Sequence, residues 1–223
     1  DNGNEGETLI NSCAFYESCL NIIKKEKLLL SNTKTYISTK NARICSPVRM
    51  MSILKVAQLQ QLERDRFVYF LHKNICSIND YTINSYIEDD LEVKEFSSKT
   101  LANQIDERFM QNQSIDWVIS LYKFLKNHAS SLYNPEWGDK FNRYFAPIKY
   151  APIILTSKGK WVSAYKGQEP NVYFPLDVVN SDYNFISKEL MEQIEAIKFY
   201  EDLGIRQPDQ GDHIKSIILP KYE

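Results

Sequence analysis

Three clusters in this chain have residue types and spacing that bear on chemistry. Asp209, Asp212 and His213 lie close enough in sequence to share a hard cation or to divide general acid and base duties. The plainer expectation for them is a capped, solvated loop before a last short helix. Glu88-Asp89-Asp90 is likewise acidic. Carboxylates at consecutive positions do not share a helical face, so a solvated loop is expected there too. Lys140, Arg143 and Lys149 interleave with Phe141, Tyr144, Phe145 and Tyr150. Such a run can neutralise and stack on a single-stranded nucleic acid, and it equally suits an amphipathic segment covering a hairpin.

Other chemistries lack their parts. Only seven glycines occur, and none form G-G or G-x-G. Dinucleotide fingerprints and phosphate loops need clustered glycines so that backbone amides can approach the phosphates. Glu17 and Asn21 have the E-x-x-x-N spacing of the acid and magnesium-binding asparagine in gyrase-type ATPases. The D-x-G-x-G turn that should accompany them is missing, since Asp209-Gln210-Gly211 lacks the second glycine. The four cysteines (Cys13, Cys19, Cys45, Cys76) make no C-x-x-C pair and the three histidines are scattered, which points to reduced thiols and no structural zinc. No Ser, Cys or Thr is singled out as a nucleophile by a nearby histidine and acid. No catalytic, cofactor or metal residue is therefore expected, and no cofactor.

Hydrophobic residues at 43% and charged residues at 25% describe a chain that packs a core rather than staying disordered. A net charge of -2 provides no basic field for nonspecific DNA binding. No apolar run approaches the roughly eighteen residues of a membrane span, and no signal pattern opens the chain, so a cytoplasmic protein is expected.

The elements that must position these residues follow from periodicity. Residues 1–8 read as a flexible lead-in, and the apolar stripe from Leu9 to Ile23 predicts an amphipathic helix. Leu28-Leu29-Leu30 and Thr35-Tyr36-Ile37-Ser38 flank a polar turn as a hairpin. Arg49 to Ile75 shows helical spacing, residues 81–95 show none, and helices are expected over Ser98 to Met110 and Ser114 to Ala129. Strands follow at Ala151 to Leu155, Lys160 to Ser163 and Asn171 to Pro175. A helix then runs from Lys188 to Leu203 and stops at Gly204, a residue suited to a left-handed cap. Gly159 is expected at a turn position of positive φ.

The chain also echoes itself. Shifted by 125 positions, Leu28-Leu29-Leu30-Ser31-Asn32-Thr33-Lys34-Thr35-Tyr36-Ile37-Ser38 falls on Ile153-Ile154-Leu155-Thr156-Ser157-Lys158-Gly159-Lys160-Trp161-Val162-Ser163. Aliphatic meets aliphatic, hydroxyl meets hydroxyl, and Tyr36 meets Trp161, the two residues expected as buried anchors. The fold expected is α+β and helix-rich, with two small β-hairpin units embedded among about eight helices. Residues 9–96 and 97–223 would form two similar helix-hairpin-helix lobes.

The ordered series from Ala151-Pro152-Ile153-Ile154-Leu155 through Lys160-Trp161-Val162, Pro170-Asn171-Val172-Tyr173-Phe174-Pro175, Phe185-Ile186, Phe199-Tyr200-Glu201-Asp202-Leu203-Gly204-Ile205 and Ile217-Ile218-Leu219-Pro220-Lys221-Tyr222 resembles the region downstream of the ATPase domain in large sacsin/NO VEIN-like proteins. Asp116-Trp117-Val118 and Leu121 to Leu125 resemble the helix preceding it in that family. The family joins an N-terminal Bergerat-fold ATPase, of the gyrase and histidine-kinase class, to long chaperone-like regions. The resemblance implies a non-catalytic middle module without the ATP site, coupling nucleotide state to a protein client or to other domains. Its implied partners are an upstream ATPase domain of the same chain and a protein client. The rival expectation is a nucleic-acid-binding component of a bacterial defence or repair protein, using Lys140, Arg143 and Lys149.

Overall fold

A strand of two residues cannot hold its own register, so the two hairpins that echo each other in this chain are each anchored by a third segment. In the computed structural model, which describes residues 4–128, 147–176 and 183–214, β1 (Leu29–Leu30) pairs antiparallel with β2 (Tyr36–Ile37). Asn32 then donates its backbone N–H to the Phe70 carbonyl at 2.9 Å, and His72 donates to the Leu30 carbonyl at 2.8 Å. The chain is α+β and divides into two compact units, Asp1–Ser97 and Ser98–Glu223.

In the first unit α1 spans Asn4–Lys25 and so begins inside the segment expected as a flexible lead-in. Extending a helix adds one hydrogen bond per residue without a new nucleus. Leu20 and Ile23 of α1 pack against a core of Ile37, Ala42, Leu71, Ile87, Leu91 and Val93. The sheet of this unit is parallel, in the order β4-β3-β5, with β3 (Ala42–Ser46) central between β4 (Tyr69–Phe70) and β5 (Lys94–Ser97). Periodicity gave no sign of it. The stretch from Arg49 to Ile75, expected to hold one or two helices, instead holds a 3-10 turn (Val48–Ser52) and α2 (Val56–Leu62), then β4 and α3 (Lys73–Cys76). Arg64 and Asp65, at φ 59° and 61°, end α2 there. Arg43, almost fully buried in β3, forks onto Glu63 with Nε–Oε1 at 3.1 Å and Nη2–Oε2 at 2.9 Å. This two-point geometry is what a buried ion pair needs to offset its desolvation. After α4 (Tyr81–Ser85) a π turn covers Tyr86–Asp90.

The second unit opens with α5 (Ser98–Gln104), α6 (Glu107–Gln111) and α7 (Ile115–His128), the last capped by Ser114, whose Oγ accepts from the Trp117 N–H at 3.2 Å. Asp106, as the N-cap of α6, divides the single helix expected over Ser98 to Met110. Further on come α8 (Pro147–Tyr150), the hairpin β6 (Ile154–Leu155) and β7 (Trp161–Val162), and a second hairpin of β8 (Tyr165–Lys166) and β9 (Glu169–Pro170). The helix expected from Lys188 to Leu203 is two, α9 (Lys188–Met191) and α10 (Ile194–Leu203), and α11 (Gln210–His213) follows. Its core centres on Tyr122. The Tyr122 hydroxyl donates to the Ile153 carbonyl at 2.6 Å and lies 3.0 Å from the Tyr200 hydroxyl, and its ring stacks on Phe199 at 4.7 Å.

The echo in the sequence extends well beyond the hairpins. Leu29 pairs with Ile37 and Leu30 with Tyr36; Ile154 pairs with Val162 and Leu155 with Trp161, the same register shifted by 125 positions. Both turns close alike: Ser31 N–H to Thr35 O and Thr156 N–H to Lys160 O, each at 2.9 Å. Ser157 donates to the Phe185 carbonyl and Ser187 to the Leu155 carbonyl, as Asn32 and His72 do in the first unit. His72 and Ser187 then cap α3 and α9 with their side chains. Asp90-Leu91-Glu92-Val93-Lys94 corresponds to Asp202-Leu203-Gly204-Ile205-Arg206, with positive φ at Glu92 (56°) and Gly204 (85°).

Gly159 sits at φ 74° with open space where a Cβ would go, whereas a Cβ on Gly204 would meet the Tyr165 hydroxyl at 3.0 Å. Gly159→Ala should therefore lose about 1 kcal/mol from backbone strain alone, and Gly159→Val somewhat more. Gly204→Ala should lose more than Gly159→Ala, because it also displaces the Tyr165 hydroxyl from the Gly204 carbonyl. Urea denaturation of the three variants checks this order, and equal losses at the two glycines would refute it.

Candidate functional site

The residues expected to matter are scattered and mostly engaged. Trp161 is buried and α6 packs against its strand, but Tyr36, expected as the matching anchor, is 64% exposed. Its neighbour Ile37 takes the inward position instead. The pleat points successive side chains to opposite faces, so only one of the two can enter the core. Gly159 and Gly204 both have positive φ, and Gly204 is the left-handed cap of α10. Lys140 and Arg143 lie outside the described residues. Lys149 is half-buried, its amino group 5.2 Å above the Tyr165 ring, and burial lowers its pKa. Glu17 and Asn21 both face solvent on α1.

Asp209 and Asp212 cap one another rather than converge on a ligand. Asp209 Oδ1 accepts from the Asp212 N–H at 2.9 Å, and Asp212 Oδ2 accepts from the Asp209 N–H at 2.8 Å. Arg206 reaches both Asp212 oxygens, at 2.7 and 3.0 Å. Burial favours the neutral acid at Asp212, but the Asp209 amide and the Arg206 guanidinium outweigh it and hold the carboxyl below its ordinary pKa. The Tyr173 hydroxyl, which also bonds Asp212, is pushed up by burial and then by that negative charge. Among the described residues no group of three or more His, Cys, Asp or Glu side chains is placed to hold a metal ion. No described helix is long and apolar enough to cross a membrane.

The acidic run at 88–90 is not a solvated loop but the π turn, and its three carboxylates part company. Asp90 accepts from the Tyr16 hydroxyl at 3.1 Å and Asp89 from Ser85 Oγ at 2.7 Å. Glu88 turns to a cavity of about 160 Å³. Its walls come from the last residues of β3, from α3, from α4 with the π turn, and from Glu95 of β5. The end of a parallel strand is where open α/β sheets commonly take ligands, and π turns often mark functional sites. Cys45 and Cys76 also line it. The Cys45 N–H lies 3.4 Å from Cys76 Sγ, and the Cys76 thiol donates to the Leu71 carbonyl at 3.6 Å. Burial, then the neighbouring thiol, raises Cys45 to about 12, and burial raises Cys76 as well. Both are neutral thiols near pH 7 and therefore poor nucleophiles.

Sequence reasoning missed this cavity because its lining comes from four separate segments. One signal was available in the echo. From Tyr81 to Leu91, before the left-handed Glu92, there are eleven positions; from Ile194 to Leu203, before the left-handed Gly204, there are ten. The first unit thus carries one extra residue in this helix, absorbed as the π turn that lines the cavity.

Two measurements follow. The Asp212 contribution to stability is complete above the carboxyl's unfolded pKa and is lost as pH falls through its lower folded value. Asp212→Asn should cost about 1–2 kcal/mol at pH 7 and flatten the acid side of the stability curve; an unchanged acid limb would contradict the assignment. In the folded chain iodoacetamide should modify the exposed Cys13 well before the buried Cys45, with the difference erased in urea. Compared with known proteins, the chain matches no family model, no curated protein and no solved structure.

Proposed function

We propose that this chain is a non-catalytic interaction module of a large multidomain ATPase, of the kind found downstream of the Bergerat-fold domain in sacsin/NO VEIN-like proteins. In this reading it holds a protein client or a neighbouring domain and makes no bonds itself. The observation that carries it lies on α1. Leu20 and Ile23 pack against the core of the first unit, while Phe15 and Ile22, 72% and 61% exposed, lie seven residues apart on another side of the same helix with Cys19 between them. That spacing is the anchor pattern of a helix that lies against an apolar groove or another helix. Tyr36, Phe67 and Tyr81 add further solvent-facing rings in the same unit. Among the described residues, Arg43 with Glu63 and Arg206 with Asp212 are charged groups spent on structure. Four free thiols are in keeping with work in the reducing cytoplasm.

Heat-denatured citrate synthase is a suitable client probe. The chain should lower its light scattering in a dose-dependent way, and the double variant Phe15→Ser, Ile22→Ser should lose most of this effect while keeping the wild-type melting temperature. Equal protection by the variant, or none by the wild type, would remove the basis for the reading.

A further inference from the structure

The cavity of the first unit has a counterpart position in the second, and the two are filled differently. Leu71 and Ile186 donate their backbone N–H to the carbonyls of Arg43 and Tyr173, which places Ile44 opposite Phe174. Counting from the first residues of α4 and α10 places Ile87 opposite Tyr200. In the second unit the chain over 171–175 is not the strand expected there but carries a single bridge, Tyr173 to Phe185, and the rings of Phe174 and Tyr200 meet edge to face at 6.5 Å, so aromatic bulk occupies the space between this segment and α10. In the first unit the same positions carry isoleucines and the space is open.

We propose that this cavity binds a primary ammonium ion on a short alkyl chain. The space is half open to solvent, and its volume of about 160 Å³ leaves room for about six heavy atoms of a ligand. Ile44, Ile75, Ile78 and Ile87 supply walls for the alkyl part. Glu88 and Glu95 are exposed at its rim, and neither belongs to an ion pair among the described residues. Asn84, which also lines the space, donates its side-chain nitrogen to the Ile78 carbonyl at 3.2 Å and keeps its oxygen as an acceptor. Two carboxylates and one amide oxygen match the three N–H donors of an ammonium group and repel an anion. A free alkylamine and the lysine side chain of a protein present the same chemistry. The proposal stands apart from the client reading, since the residues of α1 that carry that reading do not line the cavity.

The test is a titration of the full chain, labelled for amide NMR, with 3-methylbutylamine. The expected result is saturable shifts confined to the amides around residues 44–46, 75–78 and 84–88, with a dissociation constant of about 1 mM or tighter. Glu88→Gln with Glu95→Gln should weaken binding about tenfold at an unchanged melting temperature, and 3-methylbutanol and 4-methylpentanoate should bind less well. A parallel titration with N-acetyl-lysine methylamide separates the sources. Binding of both amines extends the site to lysine side chains, and binding of 3-methylbutylamine alone restricts it to free amines. No saturable shift, equal affinity for the alcohol, or undiminished binding by the double variant would overturn the proposal.

Discussion

Everything in the two units hangs on how a two-residue hairpin is held. Neither β1–β2 nor β6–β7 has enough ladder bonds to persist in water by itself. Each gains a third segment that accepts from the turn and donates back to the first strand, through Phe70 and His72 in one case and Phe185 and Ser187 in the other. The residue making the return bond is also the N-cap of the next helix. One position therefore ends the sheet, starts the helix and fixes the hairpin's register.

Given that constraint, the units have diverged where the shared scaffold allows it. The second packs Tyr122, Phe199, Tyr200 and Phe174 ring against ring, and joins two buried hydroxyls to each other and to a backbone carbonyl. Buried phenols without such partners would be costly. The first uses smaller side chains and one additional helical residue, so its helix widens to a π turn and a cavity remains. The ionic devices differ too: Arg43 and Glu63 bind the central strand to the end of α2, while Arg206 and Asp212 secure α11. These pairs serve the fold.

The sequence by itself determined the fold class, the two hairpins, their shared register, and the left-handed positions at Gly159 and Gly204. Those features are local: period, turn chemistry and glycine's freedom at positive φ act over a few residues. Tertiary structure decided the rest. The parallel sheet was illegible because its strands are short and β3 carries a buried arginine, whose charge is tolerated only because Glu63 is brought to it from a different element. Tyr36 matches Trp161 in the echo, but burial depends on which face of the pleat is covered, and in the second unit α6 packs against the strand that carries the buried Trp161. The cavity belongs to no segment alone. It exists because one inserted residue and two isoleucines leave unfilled what two aromatic rings fill elsewhere, and such a balance of volumes is settled only when distant side chains meet.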